Sequence, residues 1–116
     1  MRDYKFNFEV DGKRYPMIFN LNVMEAIQEE FGTVAKWGEL TDAKNGEPNA
    51  KAIKFGITAM INEARDIENE NLKEPLPMLT EKEVGRIITR AGLQNSAEAL
   101  NRAVIDATKE DTEKNA

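Results

Sequence analysis

The stretch NAKAIKFGITAMINEARDIENE, residues 49–70, is the longest uninterrupted pattern in the chain and sets how the rest is read. Ile53, Ile57, Met60, Ile61, Ala64 and Ile67 recur at helical spacing and stack into one apolar stripe. That stripe predicts a central helix over 49–70 that other elements must cover. Asn49 is suited to be its N-cap, with Pro48 just before it, and the pattern runs out in a polar segment that reaches Pro75 and Pro77. Gly56 lies on the flank of the stripe. A helical glycine costs about 1 kcal/mol relative to alanine, so its presence predicts a close approach by another element.

Working outward toward the N-terminus, Tyr4, Phe6, Phe8 and Val10 alternate with Lys5, Asn7 and Glu9, the period of a strand with one apolar face. Asp11-Gly12 supplies a tight turn, and Tyr15, Met17 and Phe19 repeat the alternation on a return strand. Residues 4–19 therefore read as a β-hairpin, in which Pro16 marks an edge strand or incomplete pairing. Two strands alone are marginal in water, so the aromatic face must dock on helices or an edge must find another chain.

Between hairpin and central helix, Asn20 or Asn22 can cap a helix over 22–31, with Glu25 at capping-box spacing from Asn22. Val23, Met24, Ile27 and Phe31 face inward on it, and Gly32 ends it with a left-handed residue. Residues 33–40, TVAKWGEL, predict further helical turns that group Val34, Trp37 and Leu40. Residues 41–48, TDAKNGEP, read as a polar, mobile loop.

Beyond the central helix, Thr80 and Glu83 have capping-box spacing and open a helix over 80–91 with Val84, Ile87, Ile88 and Ala91 inward and Gly92 as its stop. Asn95 or Ser96 is the expected cap of a last helix over 96–109, which carries Leu100, Val104 and Ala107 inward. Residues 110–116 have almost nothing apolar to bury and are expected to form a flexible tail. The sum is an α+β domain, mainly α, over 1–109: a hairpin packed on a bundle of about four helices. A chain of 116 residues with 41% hydrophobic and 32% charged content suits one such domain.

Composition narrows function. The chain has no cysteine and no histidine, which removes disulfides, thiolate metal sites and the commonest general base. Its single serine has no such base to activate it, and the seven glycines match no dinucleotide or phosphate-loop spacing. No enzyme activity, cofactor or metal is expected. Glu63, Asp66, Glu68, Glu70 and Glu74 crowd the end of the central helix without the pattern of a calcium loop and read as a solvated helix end. No apolar run is long enough to span a membrane, and a net charge of -5 argues against nucleic acid. The last two helices admit a helix-turn-helix reading, but the second carries Glu98, Arg102 and Asp106 on its polar side, where a recognition helix leads with base-reading and phosphate-binding groups. The aromatic face, Tyr4, Phe6, Phe8, Tyr15 and Met17, together with Trp37, is the expected partner-binding surface, weighed against the plainer reading that these residues complete the core.

In order, FEVDGKRYPMIFNLNVMEAIQEEFGTVAKWGEL, KAIKFGITAMINEARDIENE and PMLTEKEVGRIITRAGL resemble the tail assembly chaperones of long-tailed phages and prophages of Gram-positive bacteria. The most specific pieces are the entry Asn20-Leu21-Asn22-Val23-Met24, the run Lys36-Trp37-Gly38-Glu39-Leu40, and Thr80-Glu81-Lys82-Glu83-Val84-Gly85. The resemblance implies a noncatalytic protein of the host cytoplasm, absent from the mature virion. It implies a chaperone that binds the tape measure protein and helps tail tube subunits assemble around it. A small acidic protein with an aromatic hairpin is also suited to weak, reversible self-association as a homo-oligomer. A permanent head-tail or tail component and a small DNA-binding regulator are the alternatives.

Overall fold

Secondary structure follows the local chemistry closely. A computed structural model of the chain describes residues 5–44 and 46–115, with side chains described through residue 109. Strands β1 (Lys5–Val10) and β2 (Lys13–Ile18) pair antiparallel, with Phe8 facing Tyr15 and Phe6 facing Met17. The turn between them places Asp11 at φ 51° and Gly12 at φ 80°, the pair of positive angles that a two-residue hairpin turn demands. Bonded pairs alternate along such a hairpin starting from the pair that closes the turn, Val10 and Lys13. Asn7 faces Pro16 in the intervening class, where backbone groups point away from the partner strand. Pro16 therefore costs the hairpin no ladder bond, and β2 loses only an outward donor.

Five helices follow: α1 (Leu21–Phe31), α2 (Val34–Leu40), α3 (Ala50–Asn69), α4 (Glu81–Ala91) and α5 (Leu93–Asn115). The architecture is α+β and mainly α, as the sequence pattern predicts. Asn20, Thr33, Asn49 and Thr80 each turn a side-chain oxygen onto a main-chain N–H of the first turn of their helix. Asn20, and not Asn22, is thus the cap of α1. The box between Thr80 and Glu83 is complete in both directions. Gly32 and Gly92 close α1 and α4 with positive φ.

One correction concerns α5. Gly92 closes α4, α5 begins at the next residue, Leu93, and the main-chain N–H of Ser96 already donates to the Gly92 carbonyl. Ser96 is therefore inside the helix, fully buried, and its hydroxyl has no hydrogen-bond partner. It caps nothing. At the other end the helical backbone continues to Asn115, where a tail from 110 was expected.

Helix α3 is the hub: α1, α2, α4, α5 and β2 all pack on it, while β1 lies toward α4 and α5. Its stripe is buried from Ile53 through Ala64, and Ile67 is half-buried near the C-terminal end. Phe31 meets Phe55 edge to face at 5.5 Å, fixing the end of α1 against α3. The 41–48 loop, expected to be mobile, is held at its ends: Thr41 and Pro48 are buried, and Asn101 of α5 donates to the Thr41 carbonyl.

Candidate functional site

The residues expected to form a binding surface divide unevenly. Phe8, Tyr15 and Met17 are 3%, 5% and 0% exposed, and Trp37 is 1% exposed. They belong to the core and offer no surface to a partner. The reason is the company the hairpin keeps: its apolar face lies on α3, α4 and α5 instead of facing water. Phe6 is half-buried at the margin of the same cluster, and Tyr4 lies outside the described residues.

Trp37 shows why the core reading wins. A Cβ built on Gly56 would stand 2.5 Å from Trp37 Cζ2 and 2.8 Å from Leu100 Cδ1. Gly56 is thus the floor on which the indole and a leucine of α5 rest, the close approach that its place on the stripe predicts. The indole Nε1–H donates to the Ala52 carbonyl at 3.0 Å, so its one polar atom is satisfied inside the core.

Large apolar side chains reach the surface elsewhere. Leu72, Leu76 and Met78, all about two-fifths exposed, lie on the segment between α3 and α4, and Leu21, at 68%, opens α1. Beside Met78, a groove of about 440 Å³ runs between α1 and α3. Val23, Ala26 and Ala59 give it apolar walls, and Asn22, Asn62, Glu63 and Asp66 give it a polar, acidic rim.

The inter-helix segment is a strap, and α3 holds it by its main chain. Asn62 donates to the Leu79 carbonyl and accepts from the Leu79 N–H, both at 2.9 Å. Asn69 does the same for Leu76, at 2.9 and 2.8 Å. Between them Arg65 donates to the Pro77 carbonyl at 2.7 Å. The match is geometric: seven residues of helix rise about 10.5 Å, and three residues of extended chain cover about 10 Å. Pro75 and Pro77 keep their preceding residues extended, which preserves that length. Since the amides take up the backbone, Leu76 and Met78 are left facing outward.

The acidic rim is only partly the solvated helix end expected from sequence. Glu63 is half-buried and accepts from Asn20 at 2.7 Å and Asn22 at 3.1 Å, tying the start of α1 to the middle of α3. Asp66, Glu68, Glu70 and Glu74 are exposed. Among the described residues, no group of three or more acidic side chains is placed to hold a metal ion, and no helix is long and apolar enough to cross a membrane.

Sequence reasoning located the strap as a loop and missed its role. The available signal was Asn62 and Asn69, one helical heptad apart on the flank of the stripe, followed by an extended, proline-bearing segment of matching reach. The site is a shallow, apolar, acid-rimmed surface suited to another polypeptide. Comparison of the chain with protein-family models, with curated proteins and with solved structures gives no match.

Proposed function

We propose that this chain is a noncatalytic assembly chaperone of phage tails, which binds the tape measure protein while tail tube subunits gather around it. The resemblance described above motivates the partner. The observation that carries the reading is the groove between α1 and α3, lined by the exposed Met78, with Leu76 exposed two residues earlier on the same strap. A holding protein must cover apolar helical segments without fixing them permanently. A shallow apolar channel rimmed by Glu63 and Asp66 suits a helix whose apolar stripe is flanked by lysine or arginine. Contact there adds apolar burial, which is short-ranged, to a charge attraction that salt weakens.

The test is co-expression of the chain with a helical, apolar segment of a tape measure protein from the same genome. The wild-type chain is expected to keep that segment soluble and to co-purify with it, and Leu76→Asp combined with Met78→Asp is expected to abolish both while the variant stays folded. Undiminished co-purification by the folded variant overturns the proposed surface. Mass spectrometry of purified virions separates the chaperone from a permanent tail component: the chaperone is absent, and a stoichiometric presence overturns the reading.

A further inference from the structure

We infer that two copies of this chain pair through the outer edge of β1, joining their hairpins into one four-stranded antiparallel sheet centred on Asn7. The inference does not depend on the tail-assembly reading. It begins with the register, in which Val10 and Lys13, Phe8 and Tyr15, and Phe6 and Met17 are the bonded pairs, by alternation from the turn. The main-chain groups of Lys5, Asn7 and Glu9 therefore point away from β2. Among the described residues, nothing accepts from or donates to them. The opposite edge of the sheet is not equivalent, because Pro16 removes the donor at its middle. One complete edge remains.

An unpaired strand edge is a template for another strand, and most proteins blunt theirs with charge. Here the charges are arranged to suit a second copy. If β1 pairs antiparallel with its own symmetry mate about Asn7, Lys5 of one copy faces Glu9 of the other, and Glu9 faces Lys5. Asn7 faces Asn7, and each of these facing pairs exchanges two main-chain hydrogen bonds. Lys5, Asn7 and Glu9 are all exposed on the solvent face of the hairpin, so the opposite charges meet across the junction in both halves. Arg14 already stands 3.4 Å from Glu9 within each hairpin, so Glu9 would lie between two cations.

Outside β1 lies an open cleft of about 410 Å³, bounded across from residues 6–11 by Arg90, Ala91, Asn95 and Ala99, and the incoming strand enters it as the exposed Arg90–Asp11 pair, 3.6 Å apart, gives way. Two of these four are alanines. Pairing about a two-fold axis uses the same edge on both copies and consumes it, so assembly stops at two.

The chain contains no cysteine, which makes the geometry directly testable. Asn7→Cys places one thiol per copy on the axis, within disulfide range of its mate, and mild oxidation is expected to give a covalent dimer. Glu9→Cys puts the two thiols roughly 14 Å apart along the strands and is expected not to cross-link. Sedimentation equilibrium supplies the second arm, with circular dichroism as the check on folding. Lys5→Glu and Glu9→Lys, each alone, bring like charges together twice and should raise the dissociation constant about tenfold. An equimolar mixture of the two variants should associate as tightly as the wild type, because every facing pair is again opposite in charge. A wild-type chain that stays monomeric at the highest concentrations reached overturns the inference. So does a dimer that ignores Lys5→Glu, or equal cross-linking through positions 7 and 9.

Discussion

Around Gly56, α3 is met by side chains that fill all the space available, whereas around Asn62 and Asn69 it is met by a backbone held at the reach of an amide. In the first region Trp37 and Leu100 rest on a position with no room for a methyl group. In the second, hydrogen bonds from Asn62, Arg65 and Asn69 fix the strap and leave Leu76 and Met78 about two-fifths exposed. Packing by side chains consumes apolar surface, and packing by main chain leaves it exposed. One helix uses the first method where the fold needs stability and the second where a surface is presented.

The comparison can be broken most forcefully at Trp37. Trp37→Ala should cost about 4 kcal/mol in denaturant unfolding, the scale of emptying a large buried site. A loss below about 1 kcal/mol would mean that the indole is not the keystone of this region. Gly56→Val should cost about 3 kcal/mol by overpacking, because the indole it strikes is pinned by its bond to Ala52 and cannot swing away. Asn62→Ala should cost about 1–2 kcal/mol for two lost bonds to Leu79, with faster hydrogen exchange at the Leu79 amide as its local signature. If that amide stays protected, the strap is held by something other than Asn62.

A smaller effect concerns acid. The Thr80 main-chain N–H and then its hydroxyl, both bonded to Glu83, hold that carboxyl below its usual range, with Arg65 and Arg86 adding to the effect. A depressed value means the ionised form is favoured by folding. The resulting stabilisation is present above the ordinary carboxylate range and fades as pH falls through the lowered value. Glu83→Gln should remove that part of the acid sensitivity, which a pair of unfolding curves in the acid range would register. The smallest effect on stability belongs to Met78→Asp: within about 1 kcal/mol of wild type, since that side chain is 43% exposed and lines an open groove instead of the core. Partner capture is where its loss should appear, and a strongly destabilised variant would show that the strap packs by side chains after all.

What the sequence made legible were interactions that are local or periodic. The stripe from Ile53 to Ala64, the Asn49 cap, the Thr80–Glu83 box and the Asp11-Gly12 turn all depend on residues a few positions apart, and each is present. Gly56 was legible for a different reason, since a glycine on the flank of an apolar stripe needs a tertiary cause. Ser96 misled because serine favours caps, while the cap geometry here was decided by Gly92 four residues earlier. Phe6, Phe8 and Tyr15 share one face of the hairpin, as their alternation predicts, but periodicity does not say what covers a face, and the cover is α3, α4 and α5. The candidate groove was the least legible part. Its shape depends on Asn62 reaching Leu79, seventeen residues away, through groups that every residue except proline possesses.

That last property has an evolutionary reading. A clamp that recognises peptide groups is indifferent to the letters written on them, so positions 76 and 78 can be rewritten with little penalty to the scaffold. On the proposed function, a change of client would be written at those two positions, with Asn62, Arg65 and Asn69 kept as the frame that displays them.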